Sequence, residues 1–152
     1  MNLSHIEHLG IAVKSLEEAI PFWENMLGLK CYNIEEVKEQ KVRTAFFQIG
    51  QSKIELLEST DPEGPIGKFI EKKGEGMHHI AFEVQDIYSE MKRLQNEGFI
   101  LLNSTPKDGA DNKLVCFLCF FIINLSIYLS LTFLPYILYR LKHSDFLELF
   151  LF

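Results

Sequence analysis

Cysteine is scarce in this chain of 152 residues: Cys31, Cys116 and Cys119 are its whole complement. Three, so unevenly placed, build no disulfide framework, which points to a reducing compartment. A basic lead into an apolar run is also absent from the first residues. So is the Arg-rich amphipathic start of an import peptide, and the expectation is a cytoplasmic protein. Basic stripes are missing too. The first 113 residues hold 13 basic and 19 acidic groups, the whole of the net charge of −6. Such a surface does not neutralise a phosphate backbone, so nucleic acid is excluded as a partner. The most abrupt absence comes late, because residues 114–139 contain no charged side chain. That run exceeds the ~20 apolar residues needed to span a bilayer. Read alone it is a tail anchor, with membrane contact through 114–139 as the alternative to a cytoplasmic location. No Gly or Ala occurs after Ala110, a composition that also fits coding sequence that is out of frame or unspliced.

What is present before that point is a repeat. His8-Leu-Gly-Ile-Ala-Val13 aligns with His79-Ile-Ala-Phe-Glu-Val84 at an offset of 71, and Ser15 then meets Asp86, Leu16 meets Ile87 and Ile20 meets Met91. Each copy reads as a strand followed by a helix. Ser15 with Glu18 forms a capping box that satisfies orphan amides at a helix start. Leu16, Ala19, Ile20, Trp23, Met26 and Leu27 then share one helical face, and Gly28 suits the left-handed stop. Pro21 is expected to bend or weaken the helix. In the second copy Asp86 is the cap, and Ile87, Met91 and Leu94 are the buried stripe.

Further strands are expected at residues 29–34, 42–49 and 53–57, with Gly50 turning the last two into a hairpin. A loop at 61–65 and a short helix at 66–72 lead to the second copy, whose later strands fall at 100–102 and 114–118. The fold class is therefore α+β: two paired βαβββ modules, 5–58 and 78–118, the second incomplete. An apolar helical tail over 119–152 would follow.

The candidate chemistry lies on the repeated strands. His8 alternates with Gly10 and Ala12, and His79 with Ala81, so small neighbours leave room above the sheet. One histidine on such a strand is usually structural. Two at symmetric positions converge when the modules pair, and neutral imidazole is a common ligand for divalent metals. His78 should face the other way from His79. On spacing alone Glu55, between Ile54 and Leu56, is a solvated carboxylate on an edge strand, and Glu58 is solvated too. Cys116 and Cys119 form a Cys-x-x-Cys without further ligands, so no zinc site is inferred.

Five stretches resemble the methylmalonyl-CoA epimerase family of the vicinal oxygen chelate superfamily. They are Ile6-Glu-His-Leu-Gly-Ile-Ala-Val13, Phe22-Trp-Glu-Asn-Met-Leu-Gly28, Lys53-Ile-Glu-Leu-Leu57, Gly76-Met-His-His-Ile-Ala-Phe82 and Pro106-Lys-Asp-Gly-Ala-Asp-Asn112. The resemblance covers residues 3–118. It implies the vicinal oxygen chelate fold, metal ligation by His8, Glu55 and His79, and a divalent ion such as cobalt, manganese or zinc. It also implies an acyl-CoA substrate epimerised at C2 through an enolate, and pairing as a homodimer. The family's fourth ligand, a glutamate in the last strand of the second module, has no counterpart where it belongs. After Phe117-Leu118 the chain reads Cys119-Phe-Phe-Ile-Ile-Asn-Leu instead. Glu148 echoes the missing motif but is expected to lie too far along to occupy its place without rearrangement. A second base glutamate found in some members falls near Thr44, which cannot do that work.

Three readings follow. One is a metal-dependent epimerase, either intact or impaired by the altered end. The second is a glyoxalase-like lyase or extradiol dioxygenase, which would use the same paired modules. The third is a non-catalytic small-molecule-binding module anchored by its tail.

Overall fold

The computed structural model describes residues 3–119 and 148–151, the backbone alone for Leu3, Cys119 and 148–151. In chain order the elements are β1 (Leu3–Val13), α1 (Leu16–Leu27), β2 (Asn33–Val37), β3 (Val42–Ile49), β4 (Ser52–Ser59) and α2 (Pro65–Lys73). Then come β5 (Gly76–Val84), α3 (Ile87–Asn96), β6 (Lys107–Asp108), β7 (Leu114–Cys119) and β8 (Glu148–Leu151). One eight-stranded sheet has the order β2-β3-β4-β1-β5-β8-β7-β6. The order is symmetric about the junction of β1 and β5, which pair antiparallel. Outward from it, β4 lies parallel to β1 and β8 lies parallel to β5. These are two βαβββ modules joined at their first strands, an α+β vicinal oxygen chelate fold.

The helices take their places from the patterns that form them. Ser15 accepts from the Glu18 amide, and the chain leaves α1 at Gly28 with φ +66°. Glu17, not Glu18, receives the Ser15 hydroxyl. Pro21 is accommodated inside α1 without a break. One face of module one is closed by α1, where Leu16, Phe47, Leu56 and Ala45 are fully buried with Trp23 and Ile54 packed on them. The matching face of module two is closed by α3, whose Ile87, Met91 and Leu94 meet Val84, Cys116 and Leu118. Burying each such aliphatic or aromatic side chain contributes about 1.5–3 kcal/mol. The opposite face is left for the site, with α2 laying Ile66 and Phe69 against Ala12, Val42 and Leu57.

Several expectations change. The strand expected at 29–34 forms later, at Asn33–Val37, where it pairs with β3. Residues 100–102 contribute only a bridge from Leu101 to Leu118. β4, expected at an edge, is internal between β3 and β1. The run 114–139, read as a membrane span, begins as β7, whose Val115, Cys116 and Leu118 are buried in the sheet. The rest of that span, and residues 120–147 of the helical tail expected over 119–152, lie outside those described, while Cys119 and Glu148–Leu151 are strand and not helix. Among the described residues no helix is long and apolar enough to cross a membrane. Module two is not left open, because Glu148–Leu151 returns as its fourth strand between β5 and β7.

Candidate metal centre

Two of the three irregularities in the β1–β5 pairing build the site. Ile6 pairs with Phe82 and His8 with Ala81, so Glu7 is an extra residue on β1. Gly10 pairs with His79 and Ile11 with Met77, so His78 is an extra residue on β5. A bulge of this kind breaks the alternation of faces and re-aims a side chain. Glu7 and His8 are accordingly both buried, and so are His78 and His79. This corrects the expectation that His78 faces away from His79: both line one cavity.

His8, Glu55 and His79 converge, each offering a donor atom within 4.8 Å of the others. The Nε2 atoms of His8 and His79 are 2.8 Å apart. Two imidazole lone pairs repel at that distance, so a proton or a cation must lie between them. Glu55 is 5% exposed, not the solvated carboxylate that spacing suggested, and its Oε1 is 3.1 Å from His8 Nδ1. Burial raises its pKa, against the lowering effect of His8 and Lys53. Glu58 is half-buried and accepts from Arg43 at 2.8 Å. Two neutral nitrogens and one carboxylate suit a divalent first-row ion.

A buried polar chain supports this cluster. Glu7 Oε2 receives His8 Nδ1 at 2.6 Å, and Glu7 Oε1 pairs with Lys53 Nζ at 2.8 Å. Lys53 also reaches Asp111 at 3.0 Å and Glu55 at 3.7 Å. Burial alone would raise the Glu7 pKa, but its hydrogen bonds from His8 and Lys53 hold it at about 2. Lys53 is pushed up by Glu7 and Asp111 in spite of its burial. On the second module His78 Nδ1 lies 2.9 Å from His79 Nδ1, and the His78 ring sits edge-on to Phe69 of α2. Burial, with Lys73 nearby, lowers His78 to about 4. Burial also holds His79 well below the ordinary histidine range.

The cluster lies against a cavity of about 320 Å³ walled by Val42, Thr44 and Leu57 from module one and Val115 and Phe117 from module two. The loop from Lys107 to Ala110 closes one side. Thr44 is 1% exposed and carries no carboxylate to the cavity. Sequence reasoning missed Glu7, Lys53 and Asp111. The only signal for Glu7 is an acid beside a candidate ligand, and period-2 alternation assigns it to the wrong face.

The register of β8 completes the comparison of the modules. His8 pairs with Lys53 and Gly10 with Glu55 across β1 and β4. His79 pairs with Glu148 and Ala81 with Phe150 across β5 and β8. Glu148 thus returns to the site strand after all, but at the position matching Lys53. Phe150 takes the position matching Glu55.

The sequence pattern of the glyoxalase/bleomycin resistance protein/dioxygenase superfamily matches residues 7–117. The Bacillus subtilis uncharacterized protein YqjC is 40% identical over 116 residues, 76% of this chain and 83% of that protein. The human mitochondrial methylmalonyl-CoA epimerase is 36% identical over 118 residues, 77% of this chain and 67% of the enzyme. Among solved structures, a variant of Streptomyces coelicolor methylmalonyl-CoA epimerase in complex with 2-nitronate-propionyl-CoA superposes with a TM-score of 0.78. It is 28% identical over 99% of this chain and 98% of that one. By pattern, by relatives and by fold, this chain belongs to the glyoxalase/bleomycin resistance protein/dioxygenase superfamily, among its methylmalonyl-CoA epimerase relatives.

Proposed function

We propose that this chain interconverts the C2 epimers of methylmalonyl-CoA, using a divalent ion held by His8, Glu55 and His79. The observation that carries the reading is the convergence of those three buried side chains on one largely apolar cavity. The epimerases among its relatives direct the choice of substrate. In this reading residues 3–118 form the catalytic domain with β8 added, and the chain pairs as a homodimer. The metal is cobalt, manganese, zinc or a similar ion.

The hydrogen at C2, between a thioester and a carboxylate, is only weakly acidic, and its loss leaves an enolate that must be stabilised as it forms. A bound divalent ion supplies Lewis-acid polarisation of the substrate oxygens. The chain's own residues shape the rest. Val42, Leu57, Val115 and Phe117 keep water from the reacting carbon, and low local polarity strengthens every charge interaction there. Inversion needs a proton acceptor on each face of C2. Thr44 cannot be one of them, so proton exchange with retention should outpace inversion.

The test is solvent-deuterium incorporation at C2 of methylmalonyl-CoA by the full-length chain with added cobalt, beside His79→Ala. Incorporation above that control supports the reading. Folded, cobalt-loaded protein that exchanges no C2 hydrogen removes it. The set of two histidines and one carboxylate among the described side chains also suits an open iron dioxygenase site. Oxygen uptake by the iron-loaded chain with a catechol, and no C2 exchange, would favour that second reading.

A further inference from the structure

We infer that Glu7 and His78 are a matched pair of positioning residues, swung onto the metal face by the two β-bulges to fix the imidazoles of His8 and His79. The inference rests on the proposed metal centre and adds residues to it. Each bulge inserts one residue immediately before a candidate ligand, once on β1 and once on β5. In a regular strand both inserted residues would point into the helix-covered layer. Here each is 5–6% exposed and meets the Nδ1 of its neighbour, at 2.6 Å for Glu7 and 2.9 Å for His78, and His78 also lines the cavity. The sequences of the two devices differ, one acidic and one basic, while their geometry is the same. A shared geometry from unlike residues is what a common demand on Nδ1 produces.

That demand follows from the Nε2 pair. Both Nε2 atoms point at one place, 2.8 Å from each other. For both to offer a lone pair there, each ring must carry its proton on Nδ1, and each Nδ1–H then needs an acceptor. Glu7 supplies a carboxylate oxygen, its other oxygen being engaged by Lys53. His78 supplies an unprotonated Nδ1, its ring held edge-on by Phe69. Acceptors in this position fix ligand orientation and tautomer, and their loss costs about 10–100-fold in metal affinity.

The experiment uses the full-length chain and cobalt alone. Cobalt affinity by chelator competition, the visible d–d spectrum, and metal-free melting are compared for wild type, His78→Ala, His78→Asn and Glu7→Gln. An asparagine oxygen can stand close to where His78 Nδ1 lies. Expected are a loss of about tenfold or more for His78→Ala with an altered spectrum, and recovery to within about threefold of wild type for His78→Asn. Glu7→Gln, which keeps an acceptor without its charge, should fall between. A second readout needs no metal: nitrogen-15 shifts of labelled histidine should give the Nδ1–H tautomer for His79 in wild type and His78→Asn, and a tautomer mixture in His78→Ala. The inference is overturned if His79 is the Nε2–H tautomer in wild type. It is overturned equally if folded His78→Ala binds cobalt as wild type does, or if His78→Asn fails to recover at an equal melting temperature. Wild type that takes up no cobalt overturns the metal centre and this inference together. Normal uptake by every variant overturns this inference alone.

Discussion

Adding one methyl group at Gly10 should disable the proposed metal centre through His79. Gly10 is the register partner of His79 across β1 and β5. A Cβ built there would lie 2.2 Å from His79 Cε1, 2.4 Å from Nε2 and 2.6 Å from Nδ1. Ordinary contact begins near 3.4 Å, so the ring must retreat by about 1 Å, enough to degrade a positioned site. The room that small neighbours provide above the sheet is therefore taken, at Gly10, by the His79 ring. Overpacking of this kind costs about 1–3 kcal/mol, a fall of roughly 2–12 °C in Tm for a domain of this size. Cobalt affinity of Gly10→Ala should drop by at least about tenfold, the scale on which displaced ligand shells respond. The decisive assay is a double-mutant cycle in the metal-free protein. In a His79→Ala background the ring is gone, and Gly10→Ala should become neutral or slightly stabilising, because alanine restricts the unfolded chain more than glycine does. Gly10→Ala that binds cobalt normally, or that costs as much without the ring as with it, refutes the reasoning.

Three more outcomes follow from the same geometry. His78, held at about 4 against 6.5 when unfolded, takes up its proton more readily in the unfolded chain. Stability of the metal-free protein should therefore fall as pH drops from 7 towards 4, by about 3 kcal/mol from this residue, and urea titrations of His78→Asn should show a shallower slope, the part due to the depressed His79 remaining. Below pH 4.5 the depressed Glu7 carboxyl adds a second loss, in the same direction, that extends towards pH 2. Lys53→Met strips the ammonium from Glu7 and leaves buried carboxylates unpaired, so chemical denaturation should show a loss of about 3–5 kcal/mol; stability equal to wild type would show the buried pair to be dispensable. Phe150→Glu puts a carboxylate at the register position matching Glu55 and should raise cobalt affinity, measured by chelator competition, whereas no gain would argue against that register.

Most of the architecture was legible because two periodicities wrote it. The offset of 71 residues announced paired modules, and the buried stripe of Ile87, Met91 and Leu94 announced a helix with one covered face. His8 and His79 were legible through their symmetry. Glu55 was legible only through the family resemblance and not from its own spacing, because its burial depends on β4 being internal, and strand order is a property of pairing that a single strand does not carry. The sites of Glu7 and His78 were hidden for a sharper reason. A bulge is an insertion relative to a partner strand, so it exists only in the pairing, and alternation read along either strand alone puts the inserted residue on the wrong face.

The same logic explains how the altered end of the chain meets the symmetry of the fold. Module one places four polar groups on its half of the site: Glu7, His8, Lys53 and Glu55. Module two repeats the strand order and the bulge, and it returns β8 to the place β4 holds, parallel to the histidine strand. What it does not repeat is the residue pattern, since Glu148 falls opposite His79 where Lys53 falls opposite His8, and Phe150 falls where Glu55 does. Backbone pairing is indifferent to that change, because ladder hydrogen bonds form between any two extended segments. Residue placement is not indifferent to it, because positions two residues apart on a strand are separated by about 7 Å. The backbone can therefore complete the strand order while Glu148 and Phe150 stand at register positions held by Lys53 and Glu55 in module one.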